Sequence, residues 1–187
     1  MKYEVQDGSA GVAKDRRRTE GKLEGQDKEE MMKKMEAAGT PGPAHKALDA
    51  LVGNWKAEVT CWQEPGQSNI SQATAKCSWI LNGRFLEEEF RGEMMGKPFT
   101  GRSWMGYDNI KQKYNSVWVS DMQTSMFCSE GKGDNKVITL EGTSSCAATG
   151  RTDVKMKAVF RFLSPDKHIF EMYDGNDKKM EITYTRQ

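Results

Sequence analysis

Three consecutive glutamates, Glu87, Glu88 and Glu89, stand in a stretch where apolar residues fall on alternate positions, so that Glu88 shares a face with Leu86 and Phe90. If that face is interior, Glu88 is a carboxyl group held away from water. Desolvation then raises its proton affinity unless a cation pairs with it, and such a group can act as a general acid or base or orient a ligand. The plainer alternatives are that the strand turns outward and all three glutamates are solvated, or that Glu88 pairs with an arginine such as Arg102. His168 shares a face with Phe170 and Met172, just after a turn over Ser164 to Lys167. A neutral imidazole there could ligate haem iron, whereas a hydrogen-bonded histidine at the rim of the domain is the plainer alternative. Trp104, Tyr107 and Trp118, with Trp79 and Tyr114, could line a pocket for a flat or apolar ligand, or simply fill a core.

Other chemistries find no support. The two histidines, His45 and His168, lie far apart, which disfavours a multi-histidine metal site, and no cofactor is called for. No glycine-rich phosphate loop opens a helix, and no G-x-S-x-G elbow or triad-like pattern occurs. The four cysteines, Cys61, Cys77, Cys128 and Cys146, show no C-x-x-C spacing. If Glu64 to Gln67 turn a hairpin, Cys77 falls opposite Asn54, about seven residues from Cys61 and well beyond the ~7 Å reach of a disulfide. Free thiols in a reducing compartment are expected, with bridges between other strands left open.

The elements that must position these residues follow from periodicity. Residues 1–26 are polar and glycine-containing and are expected to stay disordered, including the basic run Arg16, Arg17 and Arg18. Asp27, three residues before Glu30, starts a helix with a capping-box pattern; Met31, Met32, Met35 and Ala38 form one side of it before Gly39 and Pro41 end it. That methionine face suits packing on the rest of the domain or on a second subunit, as in a homodimer. Ala44, Ala47 or Leu48, and Leu51 then recur at helical spacing, closing an N-terminal arm over 27–52.

From residue 53 to 187 the period is two. Trp55, Ala57, Val59 and Cys61 form one face; Ala73, Ala75, Cys77, Trp79 and Leu81 another; Val154 to Phe162 and Met180 to Tyr184 two more. Turn residues separate the runs at Glu64-Pro65-Gly66, Asn82-Gly83, Gly96-Lys97-Pro98, Asp108-Asn109, Gly133-Asp134-Asn135, Ser164-Pro165-Asp166 and Gly175-Asn176-Asp177. About ten strands result, near 54–63, 69–81, 85–94, 98–107, 113–120, 123–131, 136–145, 152–163, 167–174 and 178–186. With no strand–helix alternation the sheet is antiparallel, and so many strands with one apolar face remove their edges by closing into a barrel; a sandwich is the alternative.

Composition narrows the partners. The 28 basic and 27 acidic residues nearly cancel and are interspersed, leaving no field for nucleic acid or an anionic membrane. No apolar run approaches the ~18 residues of a membrane span, nor does the N-terminus hold the core of a signal peptide, so a cytoplasmic location is expected.

Gly53-Asn54-Trp55, after a short helix, resembles the G-x-W signature of lipocalins and fatty-acid-binding proteins. In those families an arginine on the last strand lies across the tryptophan and closes the barrel's end. Arg186 shares a face with Ile182 and Tyr184, and Trp55 with Ala57 and Val59, so both point inward; such stacking contributes roughly 0.5 to 2 kcal/mol. The wider stretch from His45 to Trp55, with Gly83-Arg84-Phe85-Leu86-Glu87-Glu88, Met95-Gly96-Lys97-Pro98-Phe99, Gly106-Tyr107-Asp108 and Met180-Glu181-Ile182-Thr183-Tyr184, strongly resembles a family of small bacterial proteins catalogued as a domain of unknown function, number fifteen-seventy-nine. The resemblance implies a mainly β, lipocalin-like (calycin) fold and brings no catalytic residues. The architecture also resembles nitrobindin-type barrels, the basis of the haem alternative at His168. The expected function is to bind a small apolar molecule, with Glu88, Trp104, Tyr107, Trp118 and His168 around it. The alternatives are an enzyme using Glu88, haem binding through His168, and a filled barrel acting as an interaction module through its methionine helix.

Overall fold

The computed structural model of the chain describes residues 25–64, 67–94, 96–146 and 149–187. The expected disorder of residues 1–26, its basic run included, lies outside the described residues apart from the last two positions, as do Pro65 and Gly66 of the first turn and Met95. The chain divides into two units, Met1–Ala38 and Gly39–Gln187.

Helix α1 (Gly25–Gly39) is already under way two residues before Asp27, the start suggested by the capping pattern. Ion pairs at i,i+4 spacing, Glu29 to Lys33 at 2.8 Å and Glu30 to Lys34 at 2.6 Å, support it along one side. Met31, Met32 and Met35 are exposed.

In the second unit Pro43, at the first turn where its missing N–H costs nothing, starts helix α2 (Pro43–Lys46), which tightens into a 3-10 turn over Ala47–Leu51. This piece belongs with the barrel, because Leu48 and Leu51 are buried in the barrel's core. His45 is buried too, and its Nδ1 accepts the Gly42 N–H at 3.1 Å.

Ten strands follow: β1 (Gly53–Glu64), β2 (Gln67–Ile80), β3 (Phe85–Met94), β4 (Lys97–Asp108), β5 (Lys113–Ser120), β6 (Phe127–Gly133), β7 (Val137–Cys146), β8 (Arg151–Ser164), β9 (Lys167–Asp174) and β10 (Asp177–Arg186). Each pairs antiparallel with its neighbours, and β1 pairs with β10, so the sheet is a closed barrel and not a sandwich. Closure leaves no strand edge unpaired. The period-two faces turn inward, where Trp55, Leu48, Ile138 and Leu140 are the largest fully buried side chains.

Three local departures from the expected strands have physical causes. Leu81 does not extend the face of β2: with φ of 49° it joins Asn82 and Gly83 in a left-handed turn and is 66% exposed. Strand β6 begins at Phe127 and not at 123, because Asp121 clasps the chain to β4. Its carboxylate accepts the Thr100 N–H at 3.1 and 3.2 Å, while its own N–H donates to the Thr100 carbonyl at 3.0 Å. A bulge between Trp62 and Glu64 shifts the first hairpin by one residue, so Gly53 and not Asn54 lies opposite Cys77. Cys61, Cys77 and Cys128 are free thiols.

Candidate functional site

The two ends of the barrel differ. At one end α2 and the 3-10 turn plug the opening. Trp55 donates its Nε1–H to the Leu51 carbonyl at 2.8 Å, and the Arg186 guanidinium lies 4.2 Å from the Trp55 ring centroid. Arg186 also donates to the carbonyls of Val52 at 2.8 Å and Pro165 at 2.7 Å, and to the Asp166 carboxylate at 3.2 Å. Gly53 makes this possible: at φ of 138°, a Cβ there would stand 2.3 Å from Arg186 Nη1. Tyr114 donates its hydroxyl to the Ala44 carbonyl at 3.1 Å, which ties the plug to β5.

Below this seal the barrel is hollow. A cavity of about 660 Å³ is walled by Phe90, Phe99, Trp118, Phe127, Phe160 and Phe170, and Ile70, Met94 and Met122 lie toward the turns at the other end. At its inner end lies Glu88. Ser103 Oγ donates to one carboxylate oxygen and the Tyr184 hydroxyl to the other, each at 3.1 Å. Ser103 is the direct cross-strand partner of Glu88, and Trp118 that of Ser103, so one row of pairing carries acid, hydroxyl and indole around the wall.

Arg102 does not neutralise Glu88. It sits on the outer face and reaches Glu87 and Glu89, each at 3.2 Å, so the two flanking glutamates are paired outside while Glu88 alone points in. Burial raises the Glu88 pKa above its ordinary value; the hydrogen bonds from Ser103 and Tyr184 offset only part of that. Burial, with Glu88 nearby, likewise pushes the Tyr184 phenol well up, so it is a donor at any ordinary pH. Glu171 shows the contrast. It lies on the face of β9 opposite Phe170, where burial alone would raise its pKa, yet hydrogen bonds from Lys178 and Arg161 bring it below the ordinary value.

The candidate residues therefore separate. Glu88 and Trp118 line the cavity. Trp104 faces outward, its Nε1–H donating to Glu87 at 3.1 Å. Tyr107 points inward at the plugged end, against Tyr114 at 5.0 Å and His45 at 5.9 Å, and does not line the cavity. His168 is buried, and its Nδ1 has no partner among the described residues. Its ring stacks on Tyr184 at 4.3 Å and meets Trp55 edge-on at 4.5 Å, and burial, with Arg186 adding to it, lowers its pKa to about 3. His168 is also absent from the cavity wall, and its surroundings of Tyr184, Trp55 and Arg186 offer no open approach for a haem, so the haem alternative does not fit. Among the described residues no group of three or more His, Cys, Asp and Glu could hold a metal ion. The sequence pattern puts Phe90 on the face of Glu88 and Tyr184 on that of Arg186 but makes neither a site residue, and it does not single out Ser103 or Phe99; the signal that gathers them around one site is the register between strands, which periodicity within one strand does not give.

The model of the family described as "Protein of unknown function (DUF1579)" matches residues 40–186. No curated protein matches the chain. Among solved structures, Rv2717c from M. tuberculosis is 14% identical, with 79% of this chain and 99% of that one covered at a TM-score of 0.53, a likeness of fold. A redesigned β barrel is 17% identical over 78% of this chain and 96% of that one, TM-score 0.42. Another, mFAP1 bound to DFHBI, is 18% identical over 78% and 100%, TM-score 0.37. No described helix is long and apolar enough to cross a membrane.

Proposed function

We propose that this chain, which belongs to the family described as protein of unknown function (DUF1579), binds a small, largely apolar molecule inside its barrel. The observation that carries the reading is the hollow itself. Its volume of about 660 Å³ falls within the roughly 300 to 1,000 Å³ of small-molecule sites, and its wall is aromatic and aliphatic with a few converging polar groups. Glu88, Ser103 and Tyr184 supply the polar contacts, and Phe90, Phe99 and Trp118 the apolar ones; Tyr107 and His168 support the site from the sealed end. The test is a titration of tryptophan emission with octanol. A saturable one-site change that Trp118→Phe removes supports the reading; no saturable change discards it.

The raised proton affinity of Glu88 beside the Tyr184 hydroxyl favours one second reading, an enzyme in which Glu88 moves a proton. Glu88→Gln then abolishes turnover of a substrate while the fold persists, and unchanged turnover rejects it.

A further inference from the structure

The charge on the cavity wall says more than its shape. The charged residues that line it among the described residues are Glu88 at the inner end and Glu93, exposed toward the mouth; no lysine, arginine or histidine lines it. A fatty carboxylate or a phosphate ester entering this space meets two acids and no cation, a repulsion that low dielectric strengthens. A neutral ligand leaves Glu88 without a countercharge. A cationic ligand supplies what the protein supplies elsewhere: Glu171 is satisfied by Arg161 at 2.8 Å together with Lys178, and among the described residues Glu88 has only the two hydroxyl donors. Those two occupy one site on each oxygen, and a carboxylate offers about four acceptor sites, so room remains for an ammonium group. Phe90, Phe99 and Trp118 lie within 6.1 to 6.3 Å of one another, centroid to centroid, and form a continuous aromatic wall. Aromatic faces attract cations and bury alkyl chains equally well.

We propose that the molecule held in the barrel is a lipophilic amine carried as its cation, its ammonium group paired with Glu88 and its hydrocarbon body against Phe90, Phe99 and Trp118. This rests on the ligand-binding reading above and names the class of ligand. The exposed Glu93 favours the approach of such a cation.

The experiment is calorimetric titration of the full chain with octylamine, octanol and octanoate, which share a chain length and differ in head group. Octylamine is expected to bind about tenfold or more tightly than octanol, as a charge-assisted hydrogen bond implies, and octanoate most weakly. In Glu88→Gln the preference is lost: the ratio of octylamine to octanol affinity falls from about tenfold to within about twofold. Octanol or octanoate binding as tightly as octylamine, or an octylamine preference that survives Glu88→Gln, overturns the amine proposal while leaving a ligand-binding barrel. Binding of none of the three overturns both. The head-group comparison on the unaltered chain decides the matter even if the variant fails to fold.

Discussion

The Tyr184 hydroxyl donates to Glu88 Oε1 across 3.1 Å, although the two residues stand 96 positions apart in the chain. The same tyrosine ring stacks on His168, which meets Trp55 edge-on beneath Arg186. The residues that seal the barrel and the acid at the end of its cavity thus form one packed series. What closes one end of the fold also fixes the geometry of the site, and the variants below probe that coupling.

Glu88 sets the high-pH side of stability. Its folded pKa is raised by burial, so the stability it contributes is fully present below the ordinary value of 4.5 and is lost as pH rises through the raised one. Glu88→Gln removes that loss. Urea unfolding across pH should show the variant gaining on the unaltered protein as pH rises through this window; parallel curves would mean that Glu88 is solvated. Tyr184→Phe removes a donor to the carboxylate and raises the folded pKa further, so the loss should begin at the same pH but deepen and extend to higher pH.

His168 sets the opposite side. Its pKa is lowered from 6.5 to about 3, so its contribution is present above 6.5 and is lost as pH falls toward 3. A histidine NMR titration should find this ring neutral well below pH 6.5, and His168→Phe should lessen the acid sensitivity of unfolding. Protonation near the ordinary value would place the ring in water.

Much of this is legible in the sequence. Alternation in Leu86-Glu87-Glu88-Glu89-Phe90 puts Glu88 on the face of Leu86 and Phe90 while leaving open whether that face is interior, and the G-x-W pattern with Arg186 anticipates the pair now 4.2 Å apart. The register between strands was not legible. Trp104 suggested a pocket by its side chain, yet the pairing of Glu88 with Ser103 puts position 103 inside and 104 outside. Residues 123–126 read as the start of a strand, but the Asp121 clasp on Thr100 delays β6 to Phe127. Both depend on contacts between distant segments, which periodicity within one segment does not encode.

Arg186→Met should cost about 1 to 3 kcal/mol of unfolding free energy, since it removes a cation over Trp55 and the donor to the half-buried Val52 carbonyl. Asp166→Asn, which touches only the exposed side of the same guanidinium, should cost under about 1 kcal/mol. Equal costs would mean that the surface ion pair, and not the seal, holds the arginine.

Gly101 gives Trp118 its place. A Cβ on residue 101 would stand 2.1 Å from the indole ring, so Gly101→Ala must displace it. The variant should shift tryptophan emission and weaken octanol binding severalfold with the barrel's circular dichroism retained. Unchanged binding would show that Trp118 is not part of the wall that the ligand touches.

The most direct test of the hollow barrel as a ligand site is native mass spectrometry of freshly purified protein, with octylamine added in a second sample. One bound molecule per chain, co-purified or added, released on denaturation and diminished in Glu88→Gln, is the predicted result. A bare protein mass in both samples, or multiple adducts that Glu88→Gln leaves untouched, would contradict it.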